Sequence, residues 1–126
     1  MPGVEIFPTK PPRHYSLGAK FGNLVFLAGL CSRDPAKNLE TVGDTFEEQC
    51  AVIFARINDA LAAAGTSIDH TVKVTVFLQD MKYYPQLVEA LPKYFCNPPP
   101  PITIVAAKLV RDREMLEVDV TAAIPD

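Results

Sequence analysis

Few side chains in this 126-residue chain could carry out chemistry, and they form no metal or nucleophile motif. The three cysteines, Cys31, Cys50 and Cys96, are widely spaced without a CxxC pair, and the histidines are His14 and His70. A zinc site needs several such ligands at close spacing, so we expect no metal and no cofactor. An odd number of separated cysteines is typical of free thiols in a reducing compartment.

Cys31 and two lysines remain as candidates for covalent chemistry. A thiol becomes a nucleophile when a neighbouring group stabilises the thiolate, and the sequence shows no base beside Cys31. Lys73 and Lys108 resemble Schiff-base lysines only in residue type, and solvation at a strand edge is the simpler interpretation. Arg33 follows Cys31 in the same polar loop, and the guanidinium of Arg33 or Arg13 could bind a carboxylate.

Composition and charge restrict the class of protein. With 48% hydrophobic and 21% charged residues, residues 1–126 form one domain that can bury its own core. The net charge of −3, with acids and bases interspersed, argues against a nucleic-acid partner. No apolar run approaches the ~18 residues that span a bilayer, so we expect no membrane partner. The N-terminus lacks a signal-peptide pattern, which indicates a cytoplasmic protein.

The clearest predicted element is a helix at 45–64. Thr45 followed three residues later by Glu48 is a capping-box pattern. An apolar stripe at three- and four-residue spacing follows, and Gln49 falls away from it. Gly65 is suited to end the helix.

A second helix is predicted at 84–94, where Pro92 should bend or shorten the last turns. Four prolines at 98–101 cannot continue a helix, because they lack N–H donors and fix φ. The β-branched run Ile102–Val105 after them is a strong strand signal. This rigid lead into a strand fixes where its first residues point.

Further strands follow from alternation and turn signals. Gly22-Asn23 suits a type II′ hairpin turn, and the continuously apolar Leu24–Ala28 after it predicts a central strand covered on both faces. Val72 begins an alternation in which every second residue faces the helices. Residues 30–43 are predicted to be loop, and Val4–Phe7 is either a short edge strand or part of an extended arm. The predicted strands are 15–21, 24–29, 71–78, 102–107 and 115–123.

The predicted order is ββαβαββ, an α+β fold with a single mixed sheet and two helices on one face. The other face carries semi-polar side chains, and nothing within the chain remains to cover it. We therefore expect a homo-oligomer that packs sheet against sheet, with ligand sites in clefts between subunits.

Several segments share their order and spacing with a known family. Residues 13–19 and 22–29, RHYSLGA and GNLVFLAG, are similar to its PYSQA…GNLVFVSGQ opening. Residues 49–65 and 72–81 are similar to its Q…NI…L…AG helix and VVKTTVFLxDM strand. Tyr94-Phe95, the prolines and LEVDV match its closing elements. Over residues 13–123 the chain thus resembles the YjgF/RidA-type imine and enamine deaminases.

The resemblance implies a chorismate-mutase-like fold and a homotrimer with a central barrel and sites between subunits. Family members hydrolyse the 2-imino or 2-enamino acids released by pyridoxal-phosphate enzymes, or deaminate intermediates such as aminomuconate. The loop at 29–35, GLCSRDP, is somewhat similar to the SGTSSRRPD of aminomuconate deaminases.

The family's substrate-binding arginine is missing. It starts the penultimate strand, where a guanidinium pairs with the substrate carboxylate. Alignment puts Pro101 at this position, or Ile102 or Pro100 after a one-residue slip. The family's asparagine on the second helix becomes Val88, and the glutamine after the glycine becomes Leu30. We therefore expect altered carboxylate recognition in a less polar pocket.

The resemblance leaves four candidate catalytic residues, Glu117, Asp119, Tyr15 and Thr103. Matching LEVDV to the family's IEIEA puts Glu117 at the glutamate that orders water and Asp119 at the second acid. The predicted substrate-binding residues are Gly29, Leu30, Cys31, Arg33, Val88, Pro101 and Ile102.

Three functions remain open. The first is a hydrolytic deaminase for a small imine, enamine or aminomuconate-like intermediate. The second is a non-catalytic trimer that binds a small ligand or a protein partner in its clefts. The third is a different reaction on the same scaffold, since a fold does not determine chemistry.

Overall fold

A computed structural model describes residues 3–33 and 40–126, which form one mixed sheet with both helices on one face. The strands of this part of the chain are β1 (Val4–Pro8), β2 (Ser16–Phe21), β3 (Leu24–Leu27), β4 (Leu30–Cys31), β5 (Thr71–Leu78), β6 (Ile102–Ala106) and β7 (Leu116–Ala123). The helices are α1 (Phe46–Ala63) and α2 (Tyr84–Ala90), with short 3₁₀ turns at Ile68–His70, Met81–Tyr83 and Leu91–Lys93.

The strands lie in the order β1-β2-β3-β7-β5-β6, and β4 also pairs with β7. β5 and β6 are parallel and joined through α2, whereas the other pairs are antiparallel. The predicted α+β fold with a single mixed sheet is confirmed. The N-terminal segment Val4–Pro8 is an edge strand rather than a free arm, and Leu30–Cys31, predicted to be loop, forms β4.

Helix α1 begins and ends as predicted. The Glu48 amide donates to Thr45 Oγ1 at 3.1 Å, and Gly65 follows the helix with φ +92°. The position of Gln49 away from the core was predicted wrongly, because its side chain is fully buried. Its amide nitrogen donates to the carbonyls of Gly43 and Arg113, and its oxygen accepts from the Met115 amide at 2.8 Å. Gln49 thus ties the helix to the two loops beside it.

Pro92 shortens the second helix as predicted, since α2 ends at Ala90 and Leu91–Lys93 is a 3₁₀ turn. The side chains of both helices and of the inward-facing strand positions make one core. Its largest fully buried aliphatic and aromatic members are Phe54, Ile53, Ile57, Leu61, Leu78, Leu87 and Leu116.

Two strand predictions need correction. β3 is central, but only Val25 and Leu27 are buried, whereas Leu24 and Phe26 are 38% and 44% exposed. Within a single chain the helices cover only one face of the sheet, so one side of β3 stays uncovered although all of its residues are apolar. Val72 is 42% exposed because the pairing with β7 shifts register between Thr71 and the following residues, which moves it out of the alternation.

The sheet face opposite the helices is called the open face here. Residues directly opposite each other on paired strands point to the same face of the sheet, so the strand pairing identifies the residues of the open face. They include Leu24, Phe26, Thr75, Phe77, Thr103, Val105, Glu117, Asp119 and Thr121. All are at least partly accessible. No helix in the described residues is long and apolar enough to cross a membrane.

Candidate functional site

An irregularity between β3 and β4 positions the first part of the candidate site. Phe26 of β3 is opposite Thr121 of β7, and Leu30 of β4 is opposite Val118 of β7. The chain therefore advances four residues from β3 to β4 while β7 advances three. The extra residue lies in the segment that contains Gly29. Such bulges re-aim side chains and are common next to active sites.

The carboxylate of Glu117 lies directly against the backbone of Gly29. A Cβ atom added to Gly29 would lie 2.6 Å from Glu117 Oε2 and 3.0 Å from its Cδ. Only glycine leaves room for the acid in this position. Cys31 is opposite Glu117 on the neighbouring strand, so three predicted site residues are brought together.

The surroundings of Glu117 favour its protonated form. Burial raises the pKa of this carboxyl, the neighbouring Glu114 and Asp119 carboxylates raise it further, and Arg33 acts in the opposite direction. Burial also raises the pKa of Asp119. An acid with a raised pKa keeps its proton to higher pH and can both donate and accept one, which suits general acid–base chemistry.

Cys31 is buried and free, and its environment disfavours the thiolate. Burial raises the pKa of the thiol, as does the nearby Glu114 carboxylate, while Arg33 partly offsets them. The carbonyl oxygen of Cys31 accepts a hydrogen bond of 2.7 Å from Arg56 Nη1. A thiol of this kind is a poor nucleophile and serves better as a neutral neighbour of the two acids.

Glu114 is a site residue that the sequence prediction missed. Its side chain is 1% exposed, and its Oε1 lies 3.6 Å from Arg111 Nη1. Within the described part of the chain, neither carboxylate oxygen has a hydrogen-bond partner, and Arg33 Nε also lacks one. Residues 111–114 form a run of charged side chains, RDRE, a pattern that indicates a charged turn. Extending the inward alternation of β7 back by one step from Leu116 would have placed Glu114 inside.

Tyr15 and Arg33 complete this part of the site. The two side chains are close enough to interact electrostatically, and Tyr15 is 39% exposed with its ring edge-on to His14 at 5.0 Å. The name Glu117 group is used for the set Tyr15, Gly29, Cys31, Arg33, Glu114, Glu117 and Asp119. In the described residues, no three His, Cys, Asp or Glu side chains are grouped closely enough to hold a metal ion.

Of the remaining predicted residues, Leu30 is buried in the core on β4, and the others lie across the sheet. Thr103 shares a row with Asp119, with Thr75 between them, so two strand spacings of about 5 Å separate their backbones. Lys73 Nζ donates to Thr103 Oγ1 at 2.6 Å. Thr103 therefore already has a polar partner within the chain.

Val88 and Ile102 line a mainly apolar pocket of about 610 Å³ between α2 and β6, which also includes Tyr84 and Phe95. Val88 is 48% exposed. Pro101 lies at the start of β6, and its carbonyl accepts from the Val74 amide at 3.0 Å. This pocket, together with Pro101, is called the β6 pocket. Within one chain, β5 lies between β6 and β7, the strand that carries Glu117 and Asp119.

Comparison with known proteins gives consistent matches over nearly the whole chain. The profile of the family described as Endoribonuclease L-PSP matches residues 8–124. The RutC family protein SSO3206 of Saccharolobus solfataricus is 36% identical over 121 residues, covering 93% of this chain and 94% of that protein. The RutC family protein PH0854 of Pyrococcus horikoshii is 32% identical over 114 residues, covering 90% and 89%.

Solved structures match the fold equally well. The crystal structure of NMB1025 from Neisseria meningitidis, a member of the YjgF protein family, superimposes with a TM-score of 0.84 at 27% identity, covering 98% of this chain and 96% of that one. Yeast Mmf1 superimposes with a TM-score of 0.85 at 28% identity, covering 97% and 99%.

Proposed function

Because the chain belongs to the Endoribonuclease L-PSP family, which includes the YjgF and Rid proteins, we propose that it is a hydrolytic deaminase of small imines or enamines. The observation that supports this most directly is the Glu117 carboxyl, held against Gly29 with a raised pKa. An aminomuconate-like intermediate falls within the same substrate class.

The reaction needs one water and one group that transfers protons. Glu117 donates its proton to the imine nitrogen as water adds to the imine carbon, and the carboxylate then accepts a proton from that water. The resulting carbinolamine loses ammonia when its nitrogen is protonated again and its hydroxyl proton leaves. The products are a carbonyl compound and ammonia, and Glu117 ends in its starting state. Backbone groups near Gly29 would hold the water.

We infer that the complete site forms between subunits of a homotrimer. Each chain carries the Glu117 group around β4 and β7, and the β6 pocket at the edge of the sheet beyond β5. The open face also leaves Leu24, Phe26 and Val105 partly exposed. Packing of open faces would cover these side chains, and because β6 is the edge strand, the β6 pocket of one chain could meet the Glu117 group of another along the edge of the packed sheets. Phe26→Asp should then yield monomers in light scattering, whereas an oligomer of unchanged mass would contradict this arrangement.

Carboxylate recognition falls to Arg33 in this proposal. The guanidinium belongs to the Glu117 group, and its Nε has no hydrogen-bond partner among the described residues. Val88, Ile102 and Pro101 supply no charge to the opposite side of the cleft. The β6 pocket would therefore receive the apolar part of the substrate.

The test is acceleration of 2-iminopropanoate hydrolysis, with the imine generated in situ and the remainder trapped by semicarbazide. Glu117→Gln keeps the shape and hydrogen-bonding capacity but cannot transfer the proton, and should lower kcat at least 100-fold. Arg33→Gln should raise KM more than it lowers kcat. No acceleration by the unmodified protein with this imine or with a bulkier one refutes the deaminase.

A non-catalytic binding protein is the second candidate, since the family's polar positions are apolar at Val88, Ile102 and Leu30. In that case a ligand would protect the protein against unfolding without being converted. The family description also names an endoribonuclease. We do not propose it for this chain, because the net charge is −3 and the Glu117 group contains three acids. Single-stranded RNA incubated with the protein should remain intact.

A further inference from the structure

A second cavity lies on the helix side of the sheet, away from the open face. It is lined by residues 7–10 and Arg13, by Leu17 and Leu30, and by one side of α1 that carries Arg56, Asp59, Ala60 and Ala63. Its volume is about 500 Å³, within the range of small-molecule sites in proteins. This cavity is called the arm pocket. The proposed deaminase reaction makes no use of it.

The walls of the arm pocket are mostly apolar. Phe7 and Leu17 come from the N-terminal strands, Leu30 from β4, and the alanines from α1. The alanines matter because larger side chains at these helix positions would fill the space between α1 and the N-terminal segment. A hydrocarbon chain of several carbons would lose its contact with water here.

The polar rim of the arm pocket is positively charged. Lys10, Arg13 and Arg56 stand against a single acid, Asp59, although the whole chain has a net charge of −3. Within the described residues, neither Lys10 nor Arg13 forms an ion pair with a carboxylate. Arg56 differs, since it donates to the Cys31 carbonyl. Two cations without acidic partners at the mouth of an apolar cavity favour an anionic head and an apolar tail.

We propose that the arm pocket binds a medium-chain aliphatic carboxylate. The carboxylate lies between Lys10 and Arg13, and the tail extends along Leu17 and Leu30 toward the alanines of α1. The site is separate from Glu117 and Asp119, because these side chains belong to the open face and the arm pocket lies on the helix side of the sheet.

Calorimetric titration of the full chain with butyrate, hexanoate and octanoate tests the chain-length dependence. Each additional buried methylene should tighten binding about fourfold. Octanol and octylamine carry the same tail without the negative charge and should bind at least tenfold more weakly than octanoate. Equal binding of the three eight-carbon compounds, or no octanoate binding, overturns the proposal.

Two variants of α1 locate the site. Ala63→Phe fills the arm pocket and should weaken octanoate binding more than tenfold. Ala62→Phe is the matched control, because Ala62 is also exposed but does not line the cavity. Equal effects of the two substitutions overturn the assignment.

The double variant Lys10→Gln/Arg13→Gln distinguishes the contribution of the two cations from that of the ligand's apolar tail. It should weaken octanoate about tenfold and leave octanol unchanged. Arg56 is left intact, because its loss would also disturb Cys31. A diazirine-bearing octanoate analogue gives a measurement that needs no variant: labelling within 7–13 or 56–63 supports the site, and labelling confined to other peptides overturns it.

Discussion

Replacing Gly29 with alanine changes the position of one functional group by a calculable distance. The new Cβ would lie 2.6 Å from Glu117 Oε2, whereas ordinary contact begins near 3.4 Å, so the carboxylate must retreat by about 0.8 Å. Misplacement of a catalytic group by about 1 Å can cost on the order of 100-fold in rate. We expect Gly29→Ala to lower kcat for imine hydrolysis by roughly that factor. The cost in stability should be small, because the displaced group is the end of a flexible side chain rather than backbone.

The assay is the semicarbazide-trapping measurement of imine loss, run on four proteins: the unmodified chain, Gly29→Ala, Glu117→Ala and the double variant. If the glycine acts only by making room for the acid, the double variant should be no slower than Glu117→Ala alone. Without the carboxylate, the methyl group has nothing to displace. Urea unfolding of the same set measures the stability cost separately.

Two results would refute this reasoning. Full activity of Gly29→Ala would mean that the position of the Glu117 carboxylate does not limit the reaction. Multiplication of the two single effects in the double variant would mean that Gly29 contributes independently of the acid, for example through the backbone conformation.

Three further predictions follow from the buried polar groups. Glu114→Gln removes a charge that raises the pKa of Glu117, so the alkaline limb of the pH–rate profile, where Glu117 loses the proton that it donates, should move to lower pH. Glu117→Gln should stabilise the protein at pH 7. A carboxyl whose pKa is raised in the folded state contributes stability below its unfolded-state pKa and loses that contribution as the pH rises through its folded-state pKa. In urea unfolding, the gain in free energy of unfolding of the variant over the unmodified protein should therefore shrink by pH 4. Gln49→Leu leaves two carbonyls and one amide without their partner and should cost about 3 kcal/mol, whereas the exposed Gln86→Leu should stay within about 0.5 kcal/mol.

The order of elements was predictable because local signals agreed with the fold. The capping box at Thr45, the stop at Gly65 and the disruption by Pro92 each act over one helical turn and appear as expected. The register of the strand pairs was harder to predict from the sequence. The shift that exposes Val72 depends on pairing with a strand about 50 residues later, which no local alternation reveals.

The candidate site was predicted in part, for a similar physical reason. Glu117, Gly29 and Cys31 are brought together by β4–β7 pairing, and the family pattern indicated each of them. Gln49 was placed away from the apolar stripe of α1, and its burial depends on partners from a distant segment, the Arg113 carbonyl and the Met115 amide. Glu114 was missed because it ends a run of four charged residues, a pattern typical of a surface turn.

The positions of charge and apolar space together limit the substrate. Arg33 and Glu117 belong to one group, so a bound carboxylate and the reacting carbon would lie on the same side of the cleft. A 2-imino acid satisfies this, since its carboxylate is attached directly to the imine carbon. In the proposed trimer, the remaining substituent would point away from both residues, toward the β6 pocket of about 610 Å³, where Val88 and Ile102 offer no hydrogen bonds. The methyl group of 2-iminopropanoate would leave that pocket mostly empty. Each methylene buried there is worth about 0.8 kcal/mol, so imines derived from leucine or phenylalanine should have higher kcat/KM than the alanine-derived one.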